Sequence, residues 1–139
     1  MKQMKLNKVI IHADGASLGN PGPAAIGATI KDDQGRLLAS ISEGIGWATN
    51  NQAEYRALIA ALEKAIELGA SWANIYLDSE LLVKQLNGQY RVRNQSLKPL
   101  YHRAKKLQGL LSGSVVNHIP RNENSEADAL ANVALRAYS

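Results

Sequence analysis

The chain has 139 residues, no cysteine and a formal net charge of +4. That length suits a single domain, 1–139, with a substantial core. The missing cysteine excludes disulfides and thiolate metal sites. The polar start, residues 1–8, leads into an apolar run too short for a signal-peptide core or a membrane span, so the expected compartment is the cytoplasm, with no membrane partner.

The first third reads as β-structure. Lys8 to Asp14 is a compact apolar run, Asn20-Pro21-Gly22-Pro23 is a turn, and Ala25 to Lys31 is a second strand. Asp32-Asp33-Gln34-Gly35 reads as a hairpin turn into a third strand, Arg36 to Trp47. The period then changes. Ala53, Ala57, Leu58, Ala61, Leu62, Ala65 and Ile66 recur at helical spacing between Thr49 and Leu68. Thr49 or Asn50 can serve as the N-cap, and Gly69 as the stop. Asn74 to Asp78 is a short strand whose long helical crossover favours parallel pairing with an earlier strand. Ser79 to Leu86 is a short helix, Leu97 to Leu111 another with Pro99 in its first turn, Ser114 to Ile119 the last strand, and Ser125 to Tyr138 the last helix. The order βββαβααβα predicts an α/β fold: a five-stranded mixed sheet, three antiparallel strands followed by parallel crossovers, flanked by helices.

Charge is segregated along the chain. Between Leu81 and Arg121 there is no Asp or Glu, while Lys84, Arg91, Arg93, Lys98, Arg103, Lys105, Lys106 and Arg121 give +8; the rest of the chain is −4. Such a block can grip the backbone of a polyanion, or it can be an ordinary solvated surface.

Four acids stand where a charge is locally out of place. Asp14 closes Val9-Ile10-Ile11-His12-Ala13, Asp78 closes Ile75-Tyr76-Leu77, and Glu54 and Asp128 fall on the apolar stripes of helical segments. Taken singly, each has a plain structural reading: a strand-to-turn acid, a helix-dipole acid, a cap for the next helix, a partner for Arg136. Taken together, they would repel unless hard divalent cations neutralised them. If the first and fourth strands are parallel neighbours, Asp14 and Asp78 emerge at one edge, with Glu54 facing the sheet beside them.

Four motifs carry a resemblance. They are His12-Ala13-Asp14-Gly15-Ala16-Ser17-Leu18-Gly19-Asn20-Pro21-Gly22-Pro23, Thr49-Asn50-Asn51-Gln52-Ala53-Glu54, Ile75-Tyr76-Leu77-Asp78-Ser79, and Asn124-Ser125-Glu126-Ala127-Asp128-Ala129-Leu130-Ala131. In this order and at these separations the chain resembles the type 1 ribonuclease H family, in a short form without the extended basic protrusion. The resemblance implies endonucleolytic hydrolysis of the RNA strand of RNA–DNA hybrids, leaving 5′-phosphate and 3′-hydroxyl ends. It implies two magnesium ions, with manganese as the alternative, held by Asp14, Glu54, Asp78 and Asp128. One ion would generate the attacking water and the other steady the departing ribose oxygen. By the same resemblance Asp14 would bridge the ions and Asp128 would tune their occupancy. Gly15, Glu54, Asn51 and Gln52 would contact the ribose 2′-hydroxyl, and Asn20 and Thr49, with Asn50 nearby, a phosphate of the DNA strand. A monomer is expected, with double-stranded RNA as the alternative substrate.

Three departures matter. Many family members carry a histidine in the loop before the last acid; here the loop is shorter, His118 falls on the strand, and Arg121 is taken as the substitute, acting by phosphate contact or electrostatics because arginine stays charged. Glu80 follows Asp78-Ser79 where some relatives carry an amide, which would add negative charge near the metals. Trp47, Trp72, Tyr90 and Tyr101 are read as core or rim packing.

Overall fold

The computed structural model describes residues 7–138; the polar stretch 1–6 and Ser139 lie outside them. The chain runs β1 (Lys8–Ser17), β2 (Gly22–Asp32), β3 (Leu37–Ala48), α1 (Asn50–Glu67), β4 (Trp72–Leu77), α2 (Glu80–Leu86), α3 (Lys98–Gly109), β5 (Gly113–His118), a 3₁₀ turn (Arg121–Glu123) and α4 (Ser125–Arg136). The sheet order is β3-β2-β1-β4-β5. The first three strands form an antiparallel meander, and β4 pairs parallel with β1, then β5 with β4. The predicted mixed five-stranded sheet is what forms.

Burial along β1 and β2 explains the layers. Val9, Ile11 and Ala13 alternate with less buried residues, and Ile26, Ala28 and Ile30 share their face. Against that face α1 packs Tyr55, Leu58, Ala61, Leu62 and Ala65, and Leu82 and Leu107 of α2 and α3 extend the same core. Each fully buried Leu or Ile side chain stabilises by about 1.5–3 kcal/mol. Tyr55 hides a hydroxyl in this layer, which donates to Gln85 Oε1 at 2.6 Å, and burial pushes its ionisation well above the ordinary range.

Two glycines let helices sit flush on the sheet. A Cβ on Gly27 would stand 2.2 Å from the Ala127 carbonyl oxygen and 2.4 Å from the Ala131 nitrogen of α4. A Cβ on Gly15 would stand 2.3 Å from the Ala53 carbonyl carbon of α1. The far end of α4 is tied by Tyr138, whose hydroxyl accepts from Gly46 N–H at 2.8 Å and donates to the Ala24 carbonyl at 3.1 Å. These contacts bridge β2 and β3 where their register shifts between Ala24 and Ala25. At the hairpin, Asp32 accepts from the Gln34 and Arg36 amides and from the Arg36 side chain.

Some expectations need correction. β1 runs three residues past Asp14, so Asp14 lies within a strand, opposite Gly27. Of the two places expected for Trp47, core or rim, the structure gives the rim: it is 72% exposed on the open edge strand. Tyr90 is half exposed and lies under the Lys84 ammonium, 4.9 Å from the ring centre. Among the described residues no helix is long and apolar enough to cross a membrane.

Candidate active site

The acids meet where β1 stops pairing with β4. That parallel ladder ends at His12 and Tyr76, two residues before Asp14 and Asp78. Both carboxylates therefore leave the sheet at one edge. α1 begins there because Thr49 and Gln52 form a capping box: Thr49 Oγ1 accepts from Gln52 N–H at 3.1 Å and Gln52 Oε1 from Thr49 N–H at 2.8 Å. With that start fixed, and α1 seated on Gly15, Glu54 reaches the same edge.

Asp14, Glu54 and Asp78 each offer an oxygen within 4.8 Å of the others. Asp128, on α4, lies outside that trio but close enough to Asp14 to help raise its proton affinity. The crowding is visible in the acids' proton affinities. Burial, then the charges of Asp78 and Glu54, push Asp14 up to about 9. Burial and Asp78 push Glu54 up to about 7, against hydrogen bonds from Asp14 and Ser79 and the charge of Arg121, which favour its ionised form. An all-oxygen carboxylate set under mutual repulsion fits a hard divalent cation. The trio opens into a cleft of about 550 Å³ whose walls include Gly15, Ser17, Asn50, Asn51, Ser79, Arg121 and Asn132.

Arg121, on the 3₁₀ turn, is exposed and reaches this cleft. His118, the exposed last residue of β5, is not on its wall and lies near Glu80. Glu80 does not crowd the acids: it pairs with Lys84 at 2.7 Å, and that partner holds its carboxyl below the usual range.

A profile of the reverse transcriptase-like family matches residues 12–134. The crystal structure of ribonuclease H1 from Halobacterium salinarum superposes with a TM-score of 0.92 at 44% identity, over 94% of this chain and 99% of that one. The chain belongs to the ribonuclease H family. A second ribonuclease H1, LC11, solved in complex with an RNA/DNA hybrid, superposes with a TM-score of 0.89 at 40% identity, over 94% of this chain and 99% of the other. A bifunctional protein of Mycobacterium tuberculosis is 45% identical over 94% of this chain, which spans 36% of that relative's length.

Within this ribonuclease H chain, the residues expected to touch substrate divide into two groups. Gly15, Asn50 and Asn51 border the acid cleft. Asn20 does not line it; its Oδ1 accepts from Asn50 N–H at 3.0 Å. Ser17 donates to Asn50 Oδ1 from both its amide, at 3.1 Å, and its hydroxyl, at 2.9 Å, so Asn20, Ser17 and Asn50 knot the β1–β2 turn to the start of α1. Thr49 and Gln52 are engaged in the cap, and Gln52 borders a separate groove with Trp47, Arg56 and Ser96. Sequence reasoning missed four residues at the site: Ser17, Ser79, Asn124 and Asn132. Asn132 had a readable signal, since it lies one helical step beyond Asp128. Asn124 had none, because an Asn before a helix reads as a cap.

Proposed function

We propose that this chain hydrolyses the RNA strand of RNA–DNA hybrids with the help of two divalent cations, leaving 5′-phosphate and 3′-hydroxyl ends. Asp14, Glu54 and Asp78, with Asp128 beside Asp14, would hold magnesium, with manganese as the alternative; the ions would supply an activated water and charge stabilisation at phosphorus. The convergence of three carboxylates within 4.8 Å at the floor of an open cleft carries the reading, and the hybrid-bound relative supports the substrate.

The chain's own residues then have separable tasks. Glu54 sits between a repelling Asp78 and an attracting Arg121, which keeps it responsive to cation and proton alike. Arg121 places a permanent positive charge at the cleft wall, suited to a phosphate oxygen. Gly15 and Asn51, both on the cleft wall, would provide polar groups for a ribose hydroxyl, the feature that separates RNA from DNA. The basic run from Lys84 to Lys106 supports a grip on backbone phosphate, although Lys84 and Arg103 are each paired with a glutamate. We propose that the catalytic domain at 1–139 carries out these tasks as a monomer in the cytoplasm.

The test is cleavage of labelled RNA presented in hybrid, duplex and single-stranded form, with magnesium and with manganese. Hybrid should be cut in either metal. Asp14→Asn should fold, bind hybrid and leave it intact. Full cleavage by that variant would defeat the site, and preferential cleavage of duplex RNA would defeat the substrate.

A further inference from the structure

We propose that Asn124 is a positioning residue: its side-chain amide ties Asp78 to the backbone of β1 and so sets the separation of the acids. The inference rests on the metal-site reading above.

Asn124 is 1% exposed. Its Nδ2 donates to the Ala13 carbonyl and to Asp78 Oδ2, both at 3.0 Å. Its own carbonyl accepts from Asp128 N–H at 3.1 Å. One residue thus joins the strand carrying Asp14, the strand end carrying Asp78 and the helix carrying Asp128. The Ala13 carbonyl can only accept, so the amide nitrogen must face it whichever way the group is drawn.

The residue does this at the expense of its ordinary role. It occupies the N-cap of α4 yet makes no capping bond with its side chain. Its Oδ1 is buried without a protein partner. A cap Asn normally turns its oxygen to the first amides of the helix; here the group is turned inward and leaves an acceptor uncompensated, which local helix stability does not explain. The chemistry is selective. Aspartate would present acceptors to acceptors and add another negative charge, serine has a single donor, and an apolar residue would free Asp78 to swing and leave the Ala13 carbonyl bare. With Oδ2 held, the Asp78 carboxylate is pre-oriented toward Asp14 and Glu54, and outer contacts of this kind typically change metal affinity strongly.

The experiment is calorimetric titration of manganese into the wild type, Asn124→Ala and Asn124→Asp, with circular dichroism for folding and steady-state cleavage at varied manganese. Folded Asn124→Ala should bind manganese roughly 10–100-fold more weakly, need correspondingly more metal for half-maximal rate, and keep its KM for hybrid. Binding equal to wild type by a folded Asn124→Ala would overturn the tether while leaving the metal site standing. A wild type that takes up no manganese would instead overturn the metal reading and the tether's purpose with it. Should the variants fail to fold, the wild-type Asn124 side-chain amide protons decide. Slow exchange with solvent and a shift on adding magnesium support the tether; exchange as fast as an exposed asparagine refutes it.

Discussion

Replacing Gly15 with alanine tests how the site is assembled. The new methyl group would lie 2.3 Å from the Ala53 carbonyl carbon and 2.5 Å from both the Ala53 oxygen and the Glu54 nitrogen, whereas ordinary contact begins near 3.4 Å. Every one of these obstacles is helix backbone, so no side-chain rotation relieves them. α1 must retreat by about 1 Å at the residue that carries Glu54, and overpacking of this kind costs about 1–3 kcal/mol. For a chain of this size that lowers the melting temperature by roughly 3–15 °C. The same retreat draws Glu54 away from Asp14 and Asp78, and a displacement of about 1 Å among reacting groups can cost about 100-fold in rate. Thermal melts and single-turnover cleavage of a labelled hybrid measure both effects. Gly109→Ala is the control: it lies at the end of α3 with nothing within 4 Å of its added methyl, so it should keep full activity and gain up to about 1 kcal/mol from helix propensity. A Gly15→Ala protein melting and cleaving like the wild type would show that α1 does not set Glu54 by this contact.

Acid crowding predicts a pH-dependent response to metal. In the folded, metal-free chain Asp14 and Glu54 hold protons up to about 9 and about 7, against 3.8 and 4.5 ordinarily. Their contribution to stability is fully present below those ordinary values and is lost as pH rises through 7 to 9. Magnesium should therefore raise the melting temperature more at pH 8.5 than at pH 5.5, and an equal rise at both would refute the linkage. Arg121→Ala should slow cleavage moderately without abolishing it and shift the acidic limb of the rate profile to higher pH, because the arginine favours ionised Glu54; an unmoved limb would separate the two groups. Asp32→Asn should lower the melting temperature at neutral pH and much less in strong acid. The amides and guanidinium of its turn hold the Asp32 carboxyl below its usual range, so its contribution exists above the ordinary carboxylate range and disappears as pH falls through the depressed value. A constant deficit at every pH would point to shape instead of charge.

The strand and helix order was legible because each element carries its own local signal: alternation, helical spacing, Gly69 as a stop, Ser79 as a cap. The position of Asp14 was misread as a strand end. β1 pairs on one side with β4 only as far as His12, but on the other with β2 as far as Ser17. Local sequence does not reveal that the two edges of a strand stop at different places. The acids were legible because a buried carboxylate is costly and so conspicuous. Asn124 and Ser17 were not, since a polar residue at a turn or cap is unremarkable until its partners, more than 30 positions away, are known. Thr49 was already legible as a cap, but the matching half of the capping box from Gln52 was not, since a capping box and a ligand contact use the same residue types. Trp47 was read as core or rim, and only the edge-strand topology decides for the rim.

The docking of α4 has a functional consequence. It rests on the bare backbone at Gly27 and is fastened at its far end by the Tyr138 hydroxyl, so it is held to the sheet at two separate points. A brief detachment would strip Asp128 and the Asn124 amide together while the first three strands and α1 stayed paired. Any opening of Ser125–Arg136 would therefore silence cleavage even while the sheet stayed intact.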